Sequence, residues 1–306
     1  MMNFKNLPVF LLACLILSTL SACGIKNTAS SVTAQIMQEA VPTIEEEEDV
    51  AYANQASLNT LKTLEGLQRV NPNDPTILLM LARSFGAYTF AFVENDILEA
   101  KGVSEAFEKA ATDRAKRFYG RGKKFGLQLL SKNKAFHKAL EGSLDNYKKA
   151  LKTFHKKDVP ALFWTAFSWG GLANFSKDSP ESIAEVPRIE ALMNRVKELD
   201  EDYYYGGPHL FLGALYSARP KMLGGQPEES KKEFEAAIQE TNGKFLMAKV
   251  LYAQYYAVQN QDRGLFETTL KEVLVADPAA LPEQRLGNEL AKRRAEILLR
   301  KEKLFF

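Results

Sequence analysis

The 306-residue chain has only two cysteines and three histidines. Cys14 lies inside the one long apolar run, Leu7 to Leu20, and Cys23 follows it closely. From residue 24 onward no thiol is left for a disulfide, a thiolate nucleophile or a zinc–sulfur site. His137, His155 and His209 form no His-Glu-x-x-His pattern and no pair at metal-ligand spacing. Charge of one sign is also scarce, with 40 basic against 38 acidic residues, so general affinity for nucleic acid is excluded. Gly-x-Ser-x-Gly is absent. Gly120-Arg-Gly122-Lys-Lys-Phe-Gly126 is one residue too long for a dinucleotide loop. Asp200-x-Asp202 has Tyr205 where a calcium loop needs glycine. The expectation is a protein that is not an enzyme and that takes no cofactor or metal. With 46% hydrophobic and 25% charged residues, the composition is that of a globular chain.

The apolar run of 14 residues is short of the ~20 that a bilayer core demands. It reads as an export signal over 1–22, after Lys5. The sequence Leu20-Ser21-Ala22-Cys23-Gly24 resembles a bacterial lipobox, which makes Cys23 the lipidated first residue of the mature chain. No Asp follows Cys23, so lipoprotein sorting favours the outer membrane. The expected location is lipid-anchored and periplasm-facing. Residues 23–48 read as a lipidated tether; the acidic run Glu45 to Asp49 alternatively reads as a helix start. The folded domain is expected over 49–306.

Two-residue alternation is missing, which excludes a sheet-based fold. Apolar residues recur every three or four positions instead. Leu58, Leu61, Leu64, Leu67 and Val70 make one helical face. Phe266, Leu270, Val273 and Leu274 make another, and Leu286, Leu290, Ile297 and Leu298 a third. Breakers at Asn71–Pro75, Asp158–Pro160, Asp178–Pro180, Gly206–Pro208, Gly224–Pro227, Asn242–Gly243 and Asp277–Pro282 divide the chain into about nine or ten helices. His209-Leu-Phe-Leu212-Gly213-Ala-Leu-Tyr216 carries the Leu-Gly-x-x-Tyr core of a tetratricopeptide first helix, and Phe234 and Ala237 suit the second helix. The period is irregular. The expected fold is therefore all-α, an irregular tetratricopeptide-like array of helical hairpins.

Two features are candidates for function. Residues 114–124 hold six basic side chains in eleven: Arg114, Lys116, Arg117, Arg121, Lys123 and Lys124. They read as the wet face of a helix or as a surface for an acidic partner or anionic headgroups. Aromatics cluster at Phe163, Trp164, Phe167 and Trp169, and at Tyr203, Tyr204 and Tyr205 ahead of Gly206-Gly207-Pro208-His209. Trp164, Trp169, Tyr203, Tyr204, Tyr205 and His209 are candidates for a ligand or partner surface. The competing reading for the rings is ordinary core, and for His209 a core or helix-start residue.

Several stretches together resemble the T component of tripartite ATP-independent periplasmic (TRAP) transporters, the TatT family. They are Arg114 to Gly122, Ala161-Leu-Phe-Trp164-Thr-Ala-Phe-Ser-Trp169-Gly, Asp202 to Gly213, Pro220-Lys-Met-Leu-Gly-Gly225, Asp262-Arg-Gly-Leu-Phe266 and Arg285-Leu-Gly-Asn288-Glu-Leu-Ala291. The resemblance implies a helical periplasmic lipoprotein that pairs with a substrate-binding P component. It also implies a homotrimer with a channel through each subunit, and possible binding of an apolar ligand. It supplies no catalytic residues. The alternative is a helical-repeat lipoprotein that scaffolds outer-membrane or envelope assembly.

Overall fold

The computed structural model describes residues 24–218, 222 and 225–306. The expected signal over 1–22 and Cys23 lie outside the described residues. Those described residues are helical throughout and contain no strand. A first helix, α1, runs over 24–39. It is not free of the body, for Ala34 is buried and Ser31 Oγ donates to Asp74 at 2.5 Å.

The elements that follow are α2 (Pro42–Glu45), α3 (Val50–Val70), α4 (Pro75–Tyr88), α5 (Glu94–Ala100), α6 (Glu105–Leu130), α7 (Lys134–Ala139) and α8 (Leu144–Leu151). Then come α9 (Val159–Asn174), α10 (Pro180–Leu199), α11 (Tyr203–Tyr216), α12 (Pro227–Glu240), α13 (Leu246–Leu251), α14 (Arg263–Val275) and α15 (Arg285–Arg300). This exceeds nine or ten. Breaks at Gly102, Ser131–Asn133 and Gly142 lack proline and were not legible as helix ends.

Local chemistry sets the starts. Asp49 accepts from Ala51 and Tyr52, so the acidic run ends as the N-cap of α3. Asp74 accepts from Ile77 and is followed by Pro75, whose missing N–H costs nothing in a first turn. Ser104, Asn133, Ser143, Ser179 and Asp262 cap α6, α7, α8, α10 and α14 in the same way.

The helices pack in an ordered succession, α3 on α4, α4 on α6, α6 on α9, α9 on α10, α10 on α11 and α11 on α12, with the short helices α5, α7 and α8 passed over. Small residues permit the closest of these approaches. At Gly126 of α6 a side chain would overlap Thr165 of α9, coming 2.9 Å from its Cβ and 3.1 Å from its Cα. Gly213 of the Leu-Gly-x-x-Tyr core faces the Phe234 ring of α12, which would stand 2.9 Å from an added Cβ. Ser230 Oγ donates to the Gly213 carbonyl at 2.8 Å and tightens that hairpin.

The array then closes on itself. The C-terminal helix α15 returns to contact α2, α3 and α5. Arg294 reaches across to Asn95 at 2.7 Å and to the Phe90 carbonyl at 2.5 Å. Arg300 meets Glu99, and Lys301 caps the Glu99 and Lys101 carbonyls. A closed set of helices leaves its middle to be filled or left open.

Two π-helical segments face that middle. Thr89–Val93 joins α4 to α5, and Tyr252–Ala257 follows α13. The continuous run Pro75–Ala100 is apolar and long enough to cross a membrane, yet 61% of its most apolar window is buried inside the fold. Its hydropathy is that of a helix surrounded by α3, α6, α9 and α15 rather than of one facing lipid.

Candidate functional site

The middle is open. It holds a cavity of about 870 Å³ walled by α2, α3, α4, both π segments, α9, α10, α11, α13 and α15. Ile183, 47% exposed, stands where it meets solvent. Its wall is mainly apolar, as is usual for cavities that enclose small molecules.

Aromatic rings shape it. Phe167 lies 5.6 Å from Phe90, 5.9 Å from Phe163 and 5.5 Å from Trp164. Trp164 meets Tyr204 edge-on at 5.1 Å. Edge-to-face contacts of this kind hold large rings at fixed angles, so the wall is stiff. The Trp164 indole N–H points toward the Tyr203 phenol without completing a well-formed hydrogen bond.

Polar groups reach the wall at few places. In one corner Arg83 pairs with Glu45 at 2.6 Å, and Tyr204 donates its hydroxyl to the same carboxylate at 2.8 Å. The Arg83 guanidinium also lies over the Trp164 and Tyr204 rings, at 5.6 and 5.7 Å. Burial, and then the Glu45 charge, push the Tyr204 phenol well above its usual range. Tyr204 therefore stays a neutral donor at every physiological pH. Elsewhere Glu94, Lys177 and Glu190 line the cavity.

The three tyrosines do not form the ordinary helix that their sequence suggests. Tyr204 (φ 51°, ψ 54°), Tyr205 (φ 60°, ψ 47°) and Gly206 (φ 72°, ψ 26°) make a left-handed turn before the right-handed body of α11. Left-handed backbone costs roughly 1–2 kcal/mol for each residue with a Cβ. Packing offsets this. Tyr203 sits against Phe163 at 5.1 Å, Tyr204 against Trp164, and Tyr205 against Phe245 at 5.5 Å. Of the three, only Tyr204 lines the cavity.

The other candidates separate. Trp164 lines the cavity while being almost fully buried. Trp169 does not line it; its Nε1 donates to Glu185 at 2.5 Å, and Lys123 covers its ring at 4.5 Å. His209 is likewise away from the cavity, its Nδ1 2.6 Å from Glu233, which also accepts from Lys197 at 2.7 Å. It ties α11 to α12 and, through Glu233, to α10.

The basic residues of α6 divide between two faces and several are paired. Arg114 bonds the Tyr88 hydroxyl, Arg121 pairs with Glu65, and Lys123 pairs with Glu185. Arg117 and Lys124 are exposed, and Lys116 is half-buried. At 3.6 residues per turn Arg114, Arg117, Arg121 and Lys124 share one face of α6, and Lys116 and Lys123 lie on another. No cluster of metal-ligating side chains occurs among the described residues.

Sequence reasoning passed over Arg83 and Glu94; Glu45 was noted only in the acidic run, and Tyr255 only as one of the aromatics Tyr252, Tyr255 and Tyr256. The sequence offers only a weak signal for Glu94, which directly follows the apolar run Phe90 to Val93 and precedes the polar Asn95 and Asp96.

The family model of the TRAP transporter T-component matches residues 46–306. An uncharacterized protein of Treponema pallidum (strain Nichols) is 25% identical over 258 residues, covering 83% of this chain and 79% of that protein. The chain belongs to the TRAP transporter T-component family.

Proposed function

We propose that this T-component is a lipid-anchored envelope protein that takes an apolar ligand into its central cavity and docks the substrate-binding P component of its transport system. The observation that carries this reading is the cavity of about 870 Å³ with its aromatic wall, enclosed by a ring of helices. A cavity of that size left among packed helices forfeits many dispersion contacts, so it belongs to function rather than to stability. The helical hairpins, tetratricopeptide-like at α11 and α12, form the frame, and their outer faces are suited to protein contacts. Anchoring rests on Cys23, with export over 1–22 and periplasmic exposure at the outer membrane. The link from lipid to domain starts at Cys23, and within 23–48 the helices α1 and α2 pack on the folded unit of 49–306. Assembly as a homotrimer follows the same family reading.

The test is direct association between the purified mature chain and the substrate-binding protein of the same transport system. Binding at or below roughly tens of micromolar, about 6 kcal/mol, supports docking. No association, with or without an added apolar ligand, refutes it and favours the scaffold role. In the same strain, Cys23→Ser should abolish fatty-acid labelling and release the protein from the membrane fraction. Persistent labelling would refute the anchor.

A further inference from the structure

One polar spot of the cavity wall has hydrogen-bonding capacity that the fold does not use up. Glu94 lines the cavity at the junction of the first π segment and α5, and is 7% exposed. Its Oε1 accepts the Tyr119 hydroxyl at 2.6 Å. Its Oε2 lies 3.5 Å from Arg294 Nη1, too long for a good hydrogen bond, and that buried Nη1 has no other acceptor. The carboxylate thus keeps unused acceptor capacity while its charge is nearly balanced.

Tyr255, in the middle of the second π segment, lines the same cavity and keeps accessible surface there. Its hydroxyl has no hydrogen-bond partner among the described residues. Burial pushes its phenol upward, followed by the opposed charges of Glu94 and Arg294, so the hydroxyl is a permanent donor in their vicinity. A π-helical turn adds a residue and shifts side chains relative to an α-helix, and such turns concentrate at functional sites. Here two of them meet the same wall.

We propose that Glu94 and Tyr255 form a hydrogen-bonding station for a neutral hydroxyl carried by an otherwise apolar ligand. The chemistry selects this class. A hydroxyl both donates and accepts, so it donates its O–H to the Glu94 carboxylate and accepts the Tyr255 O–H. A ligand carboxylate would add a third, unpaired charge beside an already balanced pair, and an unpaired buried charge costs several kcal/mol. A pure hydrocarbon would leave the Tyr255 donor unmatched. The inference rests on the reading of the cavity as a ligand site and narrows it to the alcohol class.

The experiment titrates the wild-type mature chain and Tyr255→Phe with n-decanol, n-decyl methyl ether, n-decyl chloride and decanoate. Fluorescence of Trp164, which lines the cavity, reports binding. Wild type should bind decanol more tightly than decanoate and than the ether, which accepts but cannot donate. Tyr255→Phe should weaken decanol roughly fivefold, the worth of one hydrogen bond, and leave decyl chloride unchanged. Equal effects of the substitution on decanol and decyl chloride, or tightest binding of decanoate, overturn the station. Binding of decyl chloride with no alcohol preference overturns the station while leaving the apolar cavity reading intact. No binding by any probe overturns both. Should Tyr255→Phe fail to fold, seen as loss of the helical circular dichroism, the wild-type ranking of alcohol against ether decides.

Discussion

Replacing Tyr204 by glycine should leave the protein more stable than replacing it by alanine. Both changes remove the same ring and lose its contacts with Trp164, Phe163 and Glu45. They differ only in backbone. Tyr204 has φ 51° and ψ 54°, where a Cβ costs roughly 1–2 kcal/mol and glycine is at ease. Glycine gives back about 0.5–1 kcal/mol through its larger unfolded-state freedom. The net preference for glycine is then about 0.5–1 kcal/mol, and the same holds at Tyr205 (φ 60°). In an ordinary helix the order reverses, with alanine ahead by about 1 kcal/mol. Tyr203, outside the left-handed turn, is the internal control. Urea unfolding followed by far-ultraviolet circular dichroism resolves this. With a slope of about 3 kcal/mol per molar, the glycine variants at 204 and 205 should unfold about 0.2–0.3 M later than their alanine partners. Alanine equal to or better than glycine at both positions would refute the left-handed turn and restore a plain helix through Tyr203–Tyr205.

Two further outcomes follow from packing and charge. Gly126→Ala should destabilise by about 1–3 kcal/mol, because its Cβ collides with Thr165, whereas Gly120→Ala on the same helix meets nothing within 4 Å and should stabilise slightly; thermal melts of the two variants check the contrast. Burial raises the Glu233 carboxyl, but hydrogen bonds from His209 and Lys197 outweigh it and hold the group below its usual value. A depressed carboxyl stabilises above its unfolded value and loses that contribution as pH falls through the folded one. Glu233→Gln should therefore flatten the loss of unfolding midpoint between about pH 5 and 3 relative to wild type, and parallel curves would contradict this.

The sequence by itself determined that the chain is helical and where several inward faces lie. Leu61 and Leu64 of α3, Phe266, Leu270 and Val273 of α14, and Leu286, Leu290, Ile297 and Leu298 of α15 are all buried, as their spacing requires. Leu58 and Val70, on the same predicted stripe, are 37% and 48% exposed, Val70 as the last residue of α3. Local breakers were legible too. Asn242 and Gly243 both take positive φ at the end of α12, the turn that Asn-Gly announces. These are short-range matters, settled by side-chain period and backbone sterics within a few residues.

Only the tertiary structure decided what the helices enclose. The left-handed turn at Tyr204 and Tyr205 runs against their intrinsic preference, and it exists because rings from α9 and from Phe245 hold it. Arg294 lies on the apolar stripe of α15, between Leu290 and Leu298, and is fully buried; what satisfies a cation there is decided by Asn95 and Phe90, some two hundred positions away in the chain. Trp164 and Trp169 sit five residues apart on one helix and look alike in sequence. One faces the cavity and the other a Lys123–Glu185 pair, because α9 is packed on opposite sides by different elements. A period of 3.6 residues records which face of a helix is apolar. Whether that face meets another helix or an open interior depends on how far the array has turned when its last helix reaches its first, and no local pattern carries that information.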